Sequence, residues 1–233
     1  ADLGFEKFMH IKARFNDLEP DAAVIVCSVR ALKSHGGVSL RDLDSPDKDA
    51  LVKGMSNLKH LINVIKGFGL PVVVAVNRFP TDVREETELV RTLSIDSGAD
   101  HAELSTVFEQ GGDGAIELAD AVVKATDGDR PSISYMYDRD DTLEDKIGAV
   151  AGNMYNARGV VYSAKARRAL KEFQNNGWGH LPVCMAKTHL SLSHNRSLKG
   201  LPRDYEFRVS DARASIGAGF IYPIAGSIMT MPG

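Results

Sequence analysis

Three stretches carry residue types that could do chemistry. The first is Arg30-Ala31-Leu32-Lys33-Ser34-His35-Gly36-Gly37. Arg30, Lys33 and His35 supply donors for a phosphate or carboxylate, and Gly36 with Gly37 allows close backbone approach. A helix end with a glycine cap accounts for the same residues. The second is Asn77-Arg78-Phe79-Pro80-Thr81-Asp82. It invites comparison with the guanine-reading Asn-Lys-x-Asp of GTPases, but Pro80 stands where the Asp belongs. What is left is an aromatic–proline corner, able to stack on a flat heterocycle or simply to pack. The third, Lys187-Thr188-His189-Leu190-Ser191-Leu192-Ser193-His194-Asn195, is dense in hydroxyls. It could hydrogen-bond a purine or a sugar, or be an ordinary hydroxyl-rich turn.

Two other chemistries are disfavoured. His180, Cys184, His189 and His194 lack the tight ligand pairs of a zinc site, and Cys184 lies in an apolar run with no thiol nearby, so no metal is expected. Ser191 and Ser193 beside His194 lack a nucleophile elbow, which argues against a serine hydrolase.

The elements that must position these residues alternate between strand and helix. Residues 21–29 and 71–77 are near-continuous apolar runs, β-branched in the middle, and predict parallel strands covered on both faces. Between them Leu58, Leu61, Ile62, Ile65 and Phe68 share a helical face, with Gly67, Gly69 and Pro71 ending that helix. The result is a βαβ crossover. In open parallel sheets ligands bind beyond the carboxyl ends of the strands, which is where the first two stretches fall. Further along, helices are predicted over 84–93, 115–125 and 164–175, and one after Thr142, whose pairing with Asp145 suggests a capping box. Short strands are predicted at 102–105, 134–137, 159–162 and 182–186. Residues 205–209 alternate, and the tail from Ile216 is rich in Gly, Ala, Ile and Met.

Composition limits the function further. The 233 residues are 25% charged and 43% hydrophobic with a net charge of −3, which gives no footprint for nucleic acid or an anionic membrane. No apolar run reaches the roughly 18–20 residues needed to span a bilayer. Two distant cysteines, Cys27 and Cys184, do not make a disulfide framework and fit a reducing, cytoplasmic location.

Taken together, the stretches resemble the formate–tetrahydrofolate ligase (10-formyltetrahydrofolate synthetase) family. Val26–Gly37 is similar to a family signature, with Cys27-Ser28 where Ala-Thr is usual. The opening Ala1–Phe8, the segments Pro71–Asp82 and Leu181–Ser193, and the stretch from Ala214 to Gly233 are similar too. The resemblance implies an α/β fold: part of a P-loop NTPase-like parallel sheet followed by smaller α/β domains. Residues 1–83 would belong to the nucleotide-binding domain, 84–180 to a second α/β domain and 181–233 to a C-terminal segment. It also implies an ATP-dependent ligation in which formate becomes formyl phosphate and then formylates tetrahydrofolate. Mg-ATP and tetrahydrofolate are the implied small-molecule partners, with a monovalent cation left open.

Carried over residue by residue, the folate-stacking positions are Phe79, Pro80, Leu104 and Phe108, the last standing where the family often has Trp. The nucleotide side falls to Thr188, Ser191 and Ser193, with Arg30, Lys33, His35, Gly36 and Gly37 as phosphate support. No Gly-x4-Gly-Lys-Ser/Thr motif occurs in these 233 residues, so the catalytic Lys and Arg of the family have no counterpart in them. With no initiator Met, the reading is the C-terminal part of such a ligase, inactive alone. The alternative is a non-catalytic half-protein or assembly module that docks with a separate P-loop chain. Either way the open sheet edge predicts association with the missing half or with another copy.

Overall fold

In the computed structural model, residues 4–226 are described, and they divide into two compact units, residues 19–134 and residues 4–18 with 135–226. The family-like ends Ala1-Asp2-Leu3 and 227–233 lie outside the described residues. The sequence-read boundaries at 83/84 and 180/181 fall inside these units.

The chain opens in the second unit with α1 (Phe5–Lys7), continued by a π-helical stretch, Phe8–Ala13. The first unit follows as β1 (Ala23–Cys27), α2 (Val29–Gly36), α3 (Lys48–Gly67), β2 (Val72–Asn77), α4 (Arg84–Asp96), β3 (His101–Ser105), α5 (Val107–Gln110) and α6 (Ile116–Ala125). Its three strands lie in the order β1-β2-β3, all parallel. Valines fill β2 and are buried on both faces, as the apolar run predicts. β1 departs from that expectation. It is an edge strand of this sheet, and alternation leaves Ile25 buried but Val24 and Val26 45% and 66% exposed.

Side-chain caps set the helix starts. Ser28 accepts from the Ala31 N–H and Asp47 from the Ala50 N–H. Gly37 ends α2 at φ 106°, a conformation that favours glycine. The α2 and α3 backbones cross without intervening side chains. A Cβ on Gly36 would strike the Ala50 carbonyl, and one on Gly54 the Leu32 carbonyl.

The second unit continues with α7 (Leu143–Asn153), β4 (Gly159–Tyr162), α8 (Ala164–Asn175), β5 (Glu206–Ser215) and β6 (Phe220–Ala225). β5 lies between β4, to which it is parallel, and β6, to which it is antiparallel. Thr142 caps α7 through the Asp145 N–H, the pair read from sequence, and Ser163 caps α8. Phe207 and Val209 point inward from β5, with Phe207 stacked on the buried Tyr155 at 5.3 Å.

Two predicted strands are corrected. Residues 134–137 form no strand: Tyr137 instead buries its ring against His10, with centroids 4.1 Å apart, and its carbonyl accepts from Arg14. Residues 182–186 make only isolated bridges, Val183 with Ile221 and Ala186 with Ile224. The Ile221 N–H reaches Pro182, the Cys184 N–H reaches Ile221, and the next rung resumes from Ala186 to Pro223. Pro223 has no N–H to donate in between, so the ladder is interrupted at that residue.

Candidate functional site

Because β1, β2 and β3 are parallel, their carboxyl ends share one edge of the sheet. Arg30 follows β1, Phe79 and Pro80 follow β2, and Phe108 follows β3. Leu104, opposite Val76 on β3, is half-buried. Phe79 is 39% exposed and Phe108 87%, so both rings offer surface that the described residues leave uncovered.

The corner is braced by carboxylates. Asp82 accepts from the Phe79 N–H at 2.9 Å, and its own N–H donates to the Phe79 carbonyl. Burial pushes the Asp82 carboxyl above its ordinary range, against the Phe79 N–H bond and the Lys33 and Arg30 charges, while Glu86 nearby adds to the rise. Asp44 accepts from Arg30 at 2.7 Å and from the Thr81 hydroxyl at 3.2 Å. The Arg30 guanidinium lies 5.8 Å from the Phe79 ring centroid, within cation–π range. Arg78 joins the β2 end to the β3 end, its N–H donating to the Ser105 carbonyl and its guanidinium lying 3.8 Å from Glu109.

The remaining residues of the first stretch are not arranged as an open anion cradle. Lys33 is buried, donating to Glu86 at 3.1 Å and to the Ser45 carbonyl at 3.0 Å. His35 is buried in the last turn of α2, Gly36 faces α3, and Gly37 is the helix cap. Of the five, Arg30 is the one placed in cation–π range of the Phe79 ring.

The hydroxyl stretch lies in the second unit. Ser191 and Ser193 are buried with their hydroxyls 3.0 Å apart. Ser191 accepts from the Ser193 N–H, and Ser193 donates to the Asn195 carbonyl. Lys187, also buried, donates to the Ser191 and Thr188 carbonyls. Those two serines shape the turn, while Thr188 is half-buried and accepts from the Leu190 N–H.

Among the described residues no group of three or more His, Cys, Asp or Glu is placed to hold a metal. No described helix is long and apolar enough to cross a membrane. A hollow of about 330 Å³ lies among Glu88, Arg91, Thr92, Ile95 and residues 101–103. That is at the start of β3, the opposite end from the aromatic wall, and we place the candidate site at the wall because the exposed rings and braced carboxylates are there.

Sequence reading assigned no role to Asp82 within the second stretch, and missed Asp44, Glu86 and the Arg78–Glu109 pair. Asp82, three residues after Phe79, had a local signal, since Asp commonly closes such a turn on a nearby N–H. Glu86 shares a helical face with the buried Val90 and Ser94, a position where a charge needs a partner. Asp44 and Glu109 had no signal, because their partners are distant in sequence.

The family model for formate–tetrahydrofolate ligase matches residues 1–233. A relative named formate–tetrahydrofolate ligase from Desulforamulus reducens is 47% identical over all of this chain and 42% of its own length. One of the same name from Bacillus pumilus is 44% identical over all of this chain and 41% of its own. The mitochondrial C-1-tetrahydrofolate synthase of Saccharomyces cerevisiae is 44% identical over 99% of this chain and 24% of its own. The chain thus spans about two-fifths of the first two relatives. With the match running from end to end, the chain belongs to the formate–tetrahydrofolate ligase family.

Proposed function

We propose that this chain supplies the folate-stacking wall and part of the nucleotide pocket of an ATP-dependent ligase that makes 10-formyltetrahydrofolate. The observation that carries the reading is the pair of exposed rings, Phe79 and Phe108, at the carboxyl ends of neighbouring parallel strands. A pterin between or against them would replace water on two aromatic faces, with Pro80 and Leu104 completing the apolar surface. In the reaction a formate oxygen attacks the γ-phosphorus and ADP leaves. N10 of tetrahydrofolate then attacks the formyl carbon, phosphate leaves, and the N10 proton passes to the departing phosphate or to water. Such transfer depends on positioning and on neutralising charge, with Mg²⁺ arriving on ATP. Arg30 is a cation this chain contributes beside the wall, and Lys33 holds the helix that presents it. Thr188 is the hydroxyl available on the nucleotide side, with Ser191 and Ser193 maintaining the turn. No residue is assigned to a monovalent cation.

The P-loop NTPase-like sheet and a cytoplasmic location belong to the same reading. So does the partner: a P-loop-bearing segment or a second copy lies along β1, covering Val24 and Val26. Tetrahydrofolate titrated into the longest natural chain carrying these residues tests the wall. Phe79→Ala and Phe108→Ala should each weaken binding, and equal binding by all three proteins removes the rings from the site. Residues 1–233 alone should show no ATP-dependent formylation; robust turnover refutes the assignment of the phosphate cradle to another segment.

A further inference from the structure

Phe79 stands on the loop after β2 and Phe108 on the short helix α5, and an ion pair links the two side chain to side chain. Arg78 immediately precedes Phe79, and Glu109 immediately follows Phe108. Their guanidinium and carboxylate lie 3.8 Å apart, both part-exposed. Stacking alone gives this pair no task.

The segment 106–114, which includes α5 and carries Phe108, is closed on itself. The Thr106 N–H donates to the Gly114 carbonyl at 3.0 Å, and the Glu109 and Gln110 N–H groups both donate to the Thr106 carbonyl at 2.9 Å. The Thr106 hydroxyl donates to the Gln110 side chain at 2.9 Å. Gly114 sits so close to Thr106 that a Cβ there would collide with its backbone. Residues 106–114 are therefore braced to move as one body. Phe108, at 87% exposure, is hardly held by packing of its own. The Arg78 N–H to Ser105 bond ties the segment to the β2 corner at its root. The Arg78–Glu109 pair ties it further out, and a body held at two points cannot tilt as one held at its root can.

We propose that Arg78 and Glu109 are positioning residues that fix the spacing and tilt of Phe108 relative to Phe79, and so set how well the wall grips a flat heterocycle. The proposal rests on the folate-wall reading, in which that heterocycle is the pterin of tetrahydrofolate. The pair touches the ligand at neither end; it acts through the two rings.

The test measures the tetrahydrofolate Kd and the KM for ATP on the longest natural chain carrying these residues. The variants are Glu109→Gln, Arg78→Gln and the exchanged pair Arg78→Glu with Glu109→Arg. Each single variant should raise the tetrahydrofolate Kd by about two- to fivefold, the range of a part-exposed ion pair. The KM for ATP and the thermal midpoint should stay unchanged. The exchanged pair should recover most of the lost affinity, and high salt should shrink the difference between wild type and single variants. Unchanged affinity in the single variants overturns the proposal, as does a loss that the exchange does not restore. Phe79→Ala and Phe108→Ala in the same assay separate the two ideas. If they weaken binding while Glu109→Gln does not, the positioning role alone fails; if they too bind normally, the wall reading fails and takes the proposal with it.

Discussion

Lys33 on α2 and Glu86 on α4 form an ion pair at 3.1 Å with both side chains almost wholly buried. The pair organises the site at a distance. Lys33 also donates to the Ser45 carbonyl, and the second Glu86 oxygen accepts from the Asp47 N–H at 2.8 Å. Both contacts pin the segment between α2 and α3, which carries Asp44. Asp44 in turn holds Arg30 and Thr81, and Arg30 lies over Phe79. The buried pair thus anchors the backbone segment whose Asp44 holds Arg30 beside the exposed aromatic corner.

Removing one partner of this pair leaves the other charge buried. Lys33→Met should cost about 3–5 kcal/mol of stability, measured by denaturant unfolding. Replacing both, as in Lys33→Met with Glu86→Leu, should cost clearly less than the two single changes summed, because no orphan charge remains. A single variant within about 1 kcal/mol of wild type would contradict a desolvated pair.

Phe108→Trp should tighten tetrahydrofolate binding by several-fold through greater stacking area and an indole N–H. The thermal midpoint should not move, since the side chain is largely in solvent. Titration of both proteins decides this; weaker binding by the Trp variant would place Phe108 away from the ligand.

His10 couples folding to pH. Burial, reinforced by the Arg14 charge, pushes its imidazole from 6.5 down to about 3. The unfolded chain therefore binds a proton there that the folded chain refuses between those values. Its contribution is fully present above pH 6.5 and is lost as pH falls toward 3, by up to about 1.4 kcal/mol per pH unit. Unfolding midpoints from pH 7 to 4 should fall less steeply in His10→Phe than in wild type. Parallel curves would show that His10 titrates normally.

The exposed edge strand β1 should drive association. Val26→Lys puts a charge on the more exposed of its two uncovered valines and should shift this chain toward monomer with little change in thermal midpoint. Sedimentation checks it, and a wild-type chain that stays monomeric at high concentration contradicts the expected docking surface.

The alternating α/β order, the buried β2 run and the cap at Thr142 were legible from sequence because each is set by neighbours a few residues apart. So was the aromatic–proline corner, a strand end followed by Phe79 and Pro80. The two strand predictions that failed show where local pattern stops. The Tyr137 stretch looks extended, but its backbone finds no ladder, and Pro223 interrupts a pairing that residues 182–186 could otherwise complete.

What the sequence by itself determined is the periodicity of the elements and the chemical character of their ends. Tertiary structure alone decided which charges point outward. Arg30 and Lys33 lie three residues apart on one helix, yet one reaches the aromatic corner and the other is buried against Glu86, 53 positions away. The same holds for Arg78 with Glu109 and Arg30 with Asp44. A charge takes its role from the partner that desolvation forces on it or solvent spares it, and that partner is chosen by packing across the fold rather than by spacing along the chain.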